Sequence, residues 1–216
     1  MHRNNAYFLP RPLENALRKL ILLVVLIGLS CAVSSAHAQE SFDLGFTVSG
    51  LTAPSNNTNG SLLFPTPSIG GGTYLGFNGN YLFKKNFGVG GEINWRAHQN
   101  IYNGFQPYRP LFWDFNAIYA PKLGPRVTAE LLAGIGVESV RFYNNFYSCS
   151  YVTGCTNYTS SNHFMGDFGG GLRFYVKGGV FVRPEARLYL VRNNVEFNSN
   201  HATRYGVTLG YSFGGR

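Results

Sequence analysis

Apolar and polar residues alternate with a period of two in eight segments of this chain, and no segment keeps a helical period. A period of two is typical of a β-strand whose two faces meet different surroundings. We therefore predict eight strands, with boundaries good to a few residues. They cover approximately residues 41–49, 73–83, 87–97, 111–119, 127–141, 164–175, 180–191 and 203–213.

The connections between these strands alternate strictly between short and long. The short ones are built around KKN, APKLGPR and VKGG, whereas the long ones are polar and rich in Asn, Tyr and Phe. Consecutive antiparallel strands place alternate connections at opposite ends of a sheet. The pattern therefore predicts an up-and-down meander, with short turns at one end and long loops at the other.

The two faces of the predicted strands differ completely in charge. One face carries Phe, Leu, Val, Ile, Trp and Tyr and no charge in the core of any strand. The other face carries ten glycines and twelve charged side chains, which we predict to form an interior ionic cluster. Its members are Asp43, Glu92, Arg96, Asp114, Glu130, Glu138, Asp167, Arg173, Arg183, Glu185, Arg187 and Arg204.

Alternation alone leaves two arrangements open, because a water-soluble barrel with an apolar interior has the same period as a membrane barrel with a polar one. Several features favour the membrane barrel. The glycines suit a narrow lumen that side chains must share. The lysines after residue 38 all lie in short turns, and aromatic residues such as Trp95, Tyr119 and Tyr211 fall near strand ends, where membrane interfaces lie.

Lipid cannot hydrogen-bond a backbone amide, so strands within it must close on themselves. The predicted fold is therefore an all-β, transmembrane, antiparallel up-and-down β-barrel of eight strands. Pro184 lies in the middle of the seventh strand and cannot donate to a ladder, so we expect a local bulge there.

The first 38 residues have a different composition. A basic segment precedes the apolar run ILLVVLIGLSCAV, and a small-x-small site ends at Ala38. This layout predicts a signal peptide over residues 1–38 and a barrel domain over residues 39–216, exported to a bacterial outer membrane. An uncleaved anchor and a lipoprotein site at Cys31 are less favoured alternatives.

Removal of this segment leaves 14 Lys and Arg against 9 Asp and Glu, a net charge of +5. That excess is small and dispersed, so nucleic-acid binding is not expected. Cys149 and Cys155 are then the only cysteines, and an even pair in an exported chain predicts a disulfide.

Candidate chemistry is sparse. His201 precedes Thr203 by two residues, loosely like the His-x-Ser arrangement of lipid A deacylase barrels, but no carboxylate follows in the chain. His98 and His163 stand at strand–loop junctions without metal-ligand spacing, and we expect them to be rim residues. No catalytic residue, metal site or cofactor is predicted.

The last strand, RYGVTLGYSF, is similar to the end of the eight-stranded outer-membrane β-barrel family. That family includes the transmembrane domain of outer membrane protein A and the small virulence-related barrels. The resemblance implies a C-terminal signal for the barrel-assembly machinery, although GGR follows the final aromatic residue. The signal residues are Gly206, Leu209, Tyr211 and Phe213.

The predicted function is non-enzymatic. We expect a structural or adhesive role at the cell surface, with lipid and lipopolysaccharide around the barrel and extracellular ligands at its aromatic, small-polar loops. A small-solute or ion channel and an outer-membrane lipid hydrolase are the alternatives.

Overall fold

The structure is a computed structural model that describes residues 40–54, 68–83, 86–150, 154–194, 196–197 and 199–214. No helix among these residues is long and apolar enough to cross a membrane. The strands are β1 (Ser41–Thr52), β2 (Thr73–Leu82), β3 (Phe87–Arg96), β4 (Asn100–Tyr102), β5 (Gln106–Tyr119), β6 (Val127–Ser150), β7 (Gly154–Lys177), β8 (Val180–Val191) and β9 (His201–Gly214).

Eight of these strands form a closed antiparallel barrel. The pairing order is β3-β2-β1-β9-β8-β7-β6-β5, and β3 pairs with β5 to complete the ring. The predicted up-and-down barrel is therefore confirmed. The short strand β4 is an addition that the sequence pattern did not indicate, and it pairs only with β5, above the ring.

The two ends of the barrel differ as expected. Ser41 is the register partner of both Leu82 and Gly214, so the start of β1 and the end of β9 share one end with the β2–β3 turn. We call this the turn end. The opposite end, where β1 leads into residues 53–72 and β6 meets β7, is the loop end.

Two strands extend far beyond their predicted lengths at the loop end. Strands β6 and β7 have 24 residues each, and their pairing reaches Cys149↔Cys155 after a register shift between Tyr143 and Ser148. Most of the connection predicted as a loop is thus a β-hairpin. Exposed residues follow one another from Asn144 to Cys149, so this part of β6 lacks the alternation that marks the barrel strands.

The apolar face points outward. Leu188 and Leu190 are 38% and 45% exposed, whereas Arg183 and Arg187 on the same strand are 1% and 4% exposed. This contrast rules out the water-soluble arrangement, in which the arginines would lie on the perimeter. The same alternation of buried and exposed residues runs through β1 and β5.

Pro184 does not produce the expected bulge. Pairing between β7 and β8 skips the residues around Pro184 and resumes at Phe174↔Val182 in the same register. The register shift of this strand pair lies instead between Tyr175 and Lys177, next to the turn. A short gap in one ladder is enough to accommodate the missing donor, since Pro184 still pairs with Val207 on the other side.

Candidate functional site

Ten of the twelve charged residues predicted to face the interior lie in one continuous ionic network inside the barrel. All ten are buried. We define the ionic network as Asp43, Glu92, Asp114, Glu130, Asp167, Arg173, Arg183, Glu185, Arg187 and Arg204.

The turn-end half of the network is built around Glu130 on β6. Its two carboxylate oxygens accept hydrogen bonds from Arg173 and Arg183, one each. Arg173 also pairs with Asp43 on β1, and Arg183 reaches Glu185 at 2.8 Å. Four strands are therefore joined across the lumen by charge-assisted hydrogen bonds, the stronger class of hydrogen bond.

The loop-end half is centred on Arg187, which lies within 4 Å of four carboxylates. The nitrogen–oxygen distances are 2.5 Å to Glu92, 2.7 Å to Asp167, 3.4 Å to Asp114 and 3.7 Å to Glu185. A buried guanidinium needs such partners because an unpaired buried charge is costly.

Arg204 closes the network. It donates to Glu92 and, at 2.5 Å, to Glu185, and its guanidinium lies 5.8 Å from the ring centre of Tyr189. In total, six carboxylates face four guanidiniums. The members of the network come from seven of the eight barrel strands, all except β2.

Two of the twelve residues lie outside the network, closer to the barrel mouth. Arg96 is half-buried and donates to the hydroxyl of Tyr108 at 3.5 Å. Glu138 is fully buried and accepts a hydrogen bond from Asn194 at 3.0 Å. Both therefore contact loop-end residues rather than the central carboxylates and guanidiniums.

A layer of aromatic side chains covers the loop end of the ionic network. Tyr74, Tyr108, Phe112, Tyr189 and Phe197 are all 0% exposed, and the rings of Phe112 and Tyr189 stack with centroids 5.2 Å apart. We call these five residues the aromatic layer. The apolar residues packed with them are Leu51, Ile69, Val140, Met165, Val191 and Ala202.

Inward-facing tyrosines hold a loop onto this layer. The hydroxyl of Tyr74 donates to the backbone oxygen of Ile69 at 2.5 Å, and that of Tyr108 donates to the backbone oxygen of Ser68 at 2.6 Å. Ile69 is itself fully buried. Ser68 and Ile69, shortly before β2, thus lie in the mouth of the barrel.

The turn end of the lumen is also filled. Phe181 is fully buried, and the guanidinium of Arg173 lies 4.5 Å from its ring centre. A second apolar cluster lies at this end and consists of Leu82, Ile118, Ala120 and Leu132. Among the described residues, the interior therefore has three zones, apolar at both ends and ionic between them.

The β6–β7 hairpin continues past the barrel strands at the loop end. Cys149 and Cys155 form a disulfide directly across the two strands, as predicted. Phe146 and Tyr147 beside it are 85% and 72% exposed. The hairpin thus presents aromatic side chains to solvent on a cross-linked frame.

A Ser–His–Glu group lies under the loop that follows β8. His163 lies in the barrel mouth and is only 9% exposed, and its Nε2 lies 2.9 Å from Glu196 and 3.1 Å from the Ser161 hydroxyl. A catalytic triad needs the carboxylate and the hydroxyl on opposite ring nitrogens. Here both approach the same nitrogen, and Ser161 donates to Glu196, so the group fastens the loop instead.

The other predicted histidine candidates have simpler surroundings. His98 and His201 are exposed, and Thr203 is half-buried on β9. His201 accepts a hydrogen bond from Ser199 through its backbone oxygen. No group of three or more His, Cys, Asp or Glu in the described part of the chain is arranged to hold a metal ion.

The residues of the C-terminal signal are split between the two faces of β9. Leu209, Tyr211 and Phe213 point outward and are 58%, 45% and 48% exposed. Gly206 points inward, where an added Cβ would lie 2.6 Å from the Cβ of Ser49. The predicted signal peptide, residues 1–38, lies outside the described residues.

Comparison with known proteins gives a family match over most of the chain. A family model described as an outer membrane protein beta-barrel domain matches residues 21–213. No curated protein matches the sequence significantly.

Solved structures share the fold at low sequence identity. The N-terminal β-barrel domain of Pseudomonas aeruginosa OprF is 13% identical with a TM-score of 0.54, and the alignment covers 82% of this chain and 100% of that one. Neisserial surface protein A is 9% identical with a TM-score of 0.55, covering 81% and 97%. The Yersinia pestis attachment invasion locus protein Ail is 13% identical with a TM-score of 0.50, covering 82% and 100%.

Proposed function

The chain belongs to the outer membrane protein β-barrel family, and we propose that within this family it is a non-conducting, non-enzymatic barrel that displays its β6–β7 hairpin for recognition or attachment at the cell surface. The observation that carries this proposal is the hairpin itself. It continues a pair of barrel strands beyond the barrel, with one register shift between Tyr143 and Ser148, and its two strands are joined by a disulfide flanked by exposed aromatic residues.

The filled lumen supports a display role over a transport role. A conducting pore of this size needs a continuous water-filled path, but the ionic network lies between two apolar zones. The aromatic layer is fully buried and is connected to loop residues by hydrogen bonds. Opening a path would therefore require separation of buried ion pairs and of packed aromatic rings.

The hairpin has the properties of a binding surface. Aromatic side chains offer large contact areas at low conformational cost, and a disulfide that joins the two strands reduces the entropy lost on binding. Tyr143 and Tyr158 face each other lower on the hairpin with ring centres 6.0 Å apart. One relative of similar fold is an attachment invasion locus protein, and its structure was determined with a heparin analogue.

Attachment can be tested on whole bacteria that display the protein. Binding to cultured epithelial cells is compared with binding by the same strain carrying an empty vector. We expect attachment above the vector level, and we expect the double substitution Phe146→Ser and Tyr147→Ser to lower it. Phe105→Ser is the matched control, since Phe105 is 78% exposed in the β4–β5 turn.

Two results would contradict this function. Attachment equal to that of the vector strain would show that the protein is not an adhesin. Equal attachment by the wild type and the double variant would show that Phe146 and Tyr147 do not take part in attachment. Deacylated lipid A that appears on overexpression and disappears with His201→Ala would instead support the hydrolase alternative.

The same proposal covers the export of the chain, its assembly into the outer membrane and the lipids around it. Residues 1–38 serve as a cleaved signal peptide, and the assembly machinery reads Leu209, Tyr211 and Phe213, whose outward position on β9 leaves them accessible. Lipid and lipopolysaccharide surround the outward apolar face.

A further inference from the structure

Two arginines stand side by side on the outer wall near the loop end. Arg109 of β5 and Arg141 of β6 are direct register partners. Both are half-buried. By the alternation of their strands they belong to the same outer face as Leu111 on β5 and Val137 on β6. Like charges directly opposite each other in a sheet are destabilising. This pair therefore needs a compensating anion.

The protein offers no such anion. Nine acids follow residue 38, and all of them lie among the described residues. Six belong to the ionic network, and Glu138 and Glu196 contact Asn194 and His163 in the barrel mouth. Glu40 lies at the turn end beside β1. The outer wall at the loop end thus carries bases without a single carboxylate.

The immediate surroundings of the pair are polar and open. The guanidinium of Arg141 lies 4.8 Å from the ring centre of Tyr158 on β7. Ser160, the register partner of Arg141, and Asn162 are exposed beside it. The Nε atoms of both arginines are buried and have no hydrogen-bond partner among the described residues. The two side chains therefore lie against the wall while their charge remains unmatched.

The height of the pair on the barrel identifies what surrounds it. Arg109 is ten positions from Tyr119, the last residue of β5 at the turn end. Ten positions span about 34 Å along a strand. A tilt of about 40° reduces this to about 26 Å of height, close to the ~25 Å of a typical apolar band. The arginines therefore lie at the headgroup level of the outer leaflet.

We propose that Arg109 and Arg141 form a binding site for a phosphorylated headgroup of an outer-leaflet lipid, with Tyr158 and Ser160 as its polar border. Guanidinium groups match phosphate oxygens with paired, charge-assisted hydrogen bonds. A phosphate between the two arginines turns their repulsion into attraction to a shared anion. The site does not depend on the attachment role proposed for the hairpin, since its two arginines are distinct from Phe146 and Tyr147, on which that role rests.

The test uses the full mature protein, folded in uncharged detergent micelles. Bisphosphorylated lipid A, the same lipid without phosphates, and the soluble polyanion sucrose octasulfate are titrated separately. Binding is followed by the fluorescence of Trp95 and Trp113, the only two tryptophans, which lie on neighbouring strands on the outer face. Native mass spectrometry counts the bound lipids.

The decisive variant is Arg109→Gln with Arg141→Gln. Its matched control is Lys122→Gln with Arg126→Gln, two exposed bases at the turn end. We expect the control to bind bisphosphorylated lipid A like the wild type and the variant to bind it roughly tenfold more weakly or worse. The wild type should bind the dephosphorylated lipid as weakly as the glutamine variant binds bisphosphorylated lipid A.

Thermal unfolding separates lost binding from lost folding. Without lipid, the glutamine variant should unfold at the same temperature as the wild type or higher, because the like-charge pair is gone. With lipid A, only the wild type and the control should gain stability. A variant that fails to fold is replaced by Arg109→Lys with Arg141→Lys, which should keep part of the affinity because the charges remain.

Three outcomes would overturn the proposal. The first is equal lipid A binding by wild type and glutamine variant, and the second is wild-type binding that does not depend on the phosphates. The third is a variant that no longer binds sucrose octasulfate but still binds lipid A like the wild type. That result would identify a site for soluble polyanions instead of a lipid.

Discussion

Removal of Arg187 should be among the most damaging single changes to the barrel interior. Arg187 is 4% exposed and lies within 4 Å of four carboxylates. Replacement by Met keeps the length of the aliphatic stem and removes the charge. Three guanidiniums would then face six carboxylates, so several buried negative charges would lose their nearest cation.

The expected loss follows from the cost of breaking a buried ion pair. Removing one partner typically costs 3–5 kcal/mol, because the other charge stays buried without compensation. We therefore expect Arg187→Met to lower the free energy of unfolding by about 3–5 kcal/mol. Asp167, which is bonded to Arg187 at 2.7 Å, provides the second step of a double-mutant cycle.

The cycle distinguishes a network from a set of independent contacts. Asp167→Asn alone should cost about 1.5–3 kcal/mol, the value of a hydrogen bond to a charged group. In the Arg187→Met background the same change removes an uncompensated carboxylate. The double variant should therefore be more stable than the sum of the two losses predicts, by about 1–3 kcal/mol.

The assay is urea unfolding of the protein in phospholipid vesicles, followed by tryptophan fluorescence and by gel migration without boiling. Arg126→Met is the control, because Arg126 is exposed at the turn end and its loss should stay within about 0.5 kcal/mol. A loss below about 1 kcal/mol for Arg187→Met would refute the reasoning, and so would strict additivity in the cycle.

Three further predictions concern the lumen, the glycines and the disulfide. In planar bilayers the wild type should give no steady unitary current; regular openings that Arg187→Met abolishes would contradict the sealed interior. Gly134→Ala should destabilise the barrel by about 1–3 kcal/mol, since its Cβ would lie 2.1 Å from a backbone oxygen of β5. Gly50→Ala, whose Cβ meets nothing within 4 Å, should be nearly neutral, and equal losses would argue against a crowded lumen. Cys149→Ser with Cys155→Ser should speed proteolysis of the hairpin tip without changing barrel unfolding, and an unchanged cleavage rate would show that the disulfide does not restrain the tip.

The barrel and its orientation could be predicted because lipid imposes a strict rule on every strand. Leu188 and Leu190 alternate with Arg187 and Tyr189, and a shift of one position would place charges in the hydrocarbon. The glycines on the charged face then indicated that this face points into the barrel. These are local patterns, so no knowledge of distant contacts was needed.

The aromatic layer was missed because it depends on contacts between distant segments. Tyr74, Phe112 and Tyr189 lie on the same inward face of their strands as the charged residues. The alternation alone does not show that their rings contact one another. Their positions toward the loop ends of three strands are a signal that could have located the layer. Phe197 lies in a loop, where no alternation predicts which side chains are buried, so its burial depends on the fold of that loop.

The hairpin and the arginine pair escaped prediction for different reasons. Above the membrane both faces of β6 and β7 meet solvent, so alternation disappears although pairing continues. Arg109 and Arg141 are unremarkable in the sequence, and only the register of β5 against β6 makes them neighbours. Exact register across two strands cannot be read from a period of two.

The central claim is that lipid contacts the Leu, Phe and Val face while the opposite face is packed inside the barrel, closed to lipid. Methyl-labelled protein in lipid nanodiscs tests it without any substitution, through magnetisation transfer from lipid chains and from water. Leu131 and Leu132 are adjacent on β6 but 57% and 7% exposed. The Leu131 methyl groups should receive transfer from acyl chains, and those of Leu132 should receive it from neither lipid nor water. Acyl-chain transfer to Leu132, or water transfer to Leu131, would contradict the orientation.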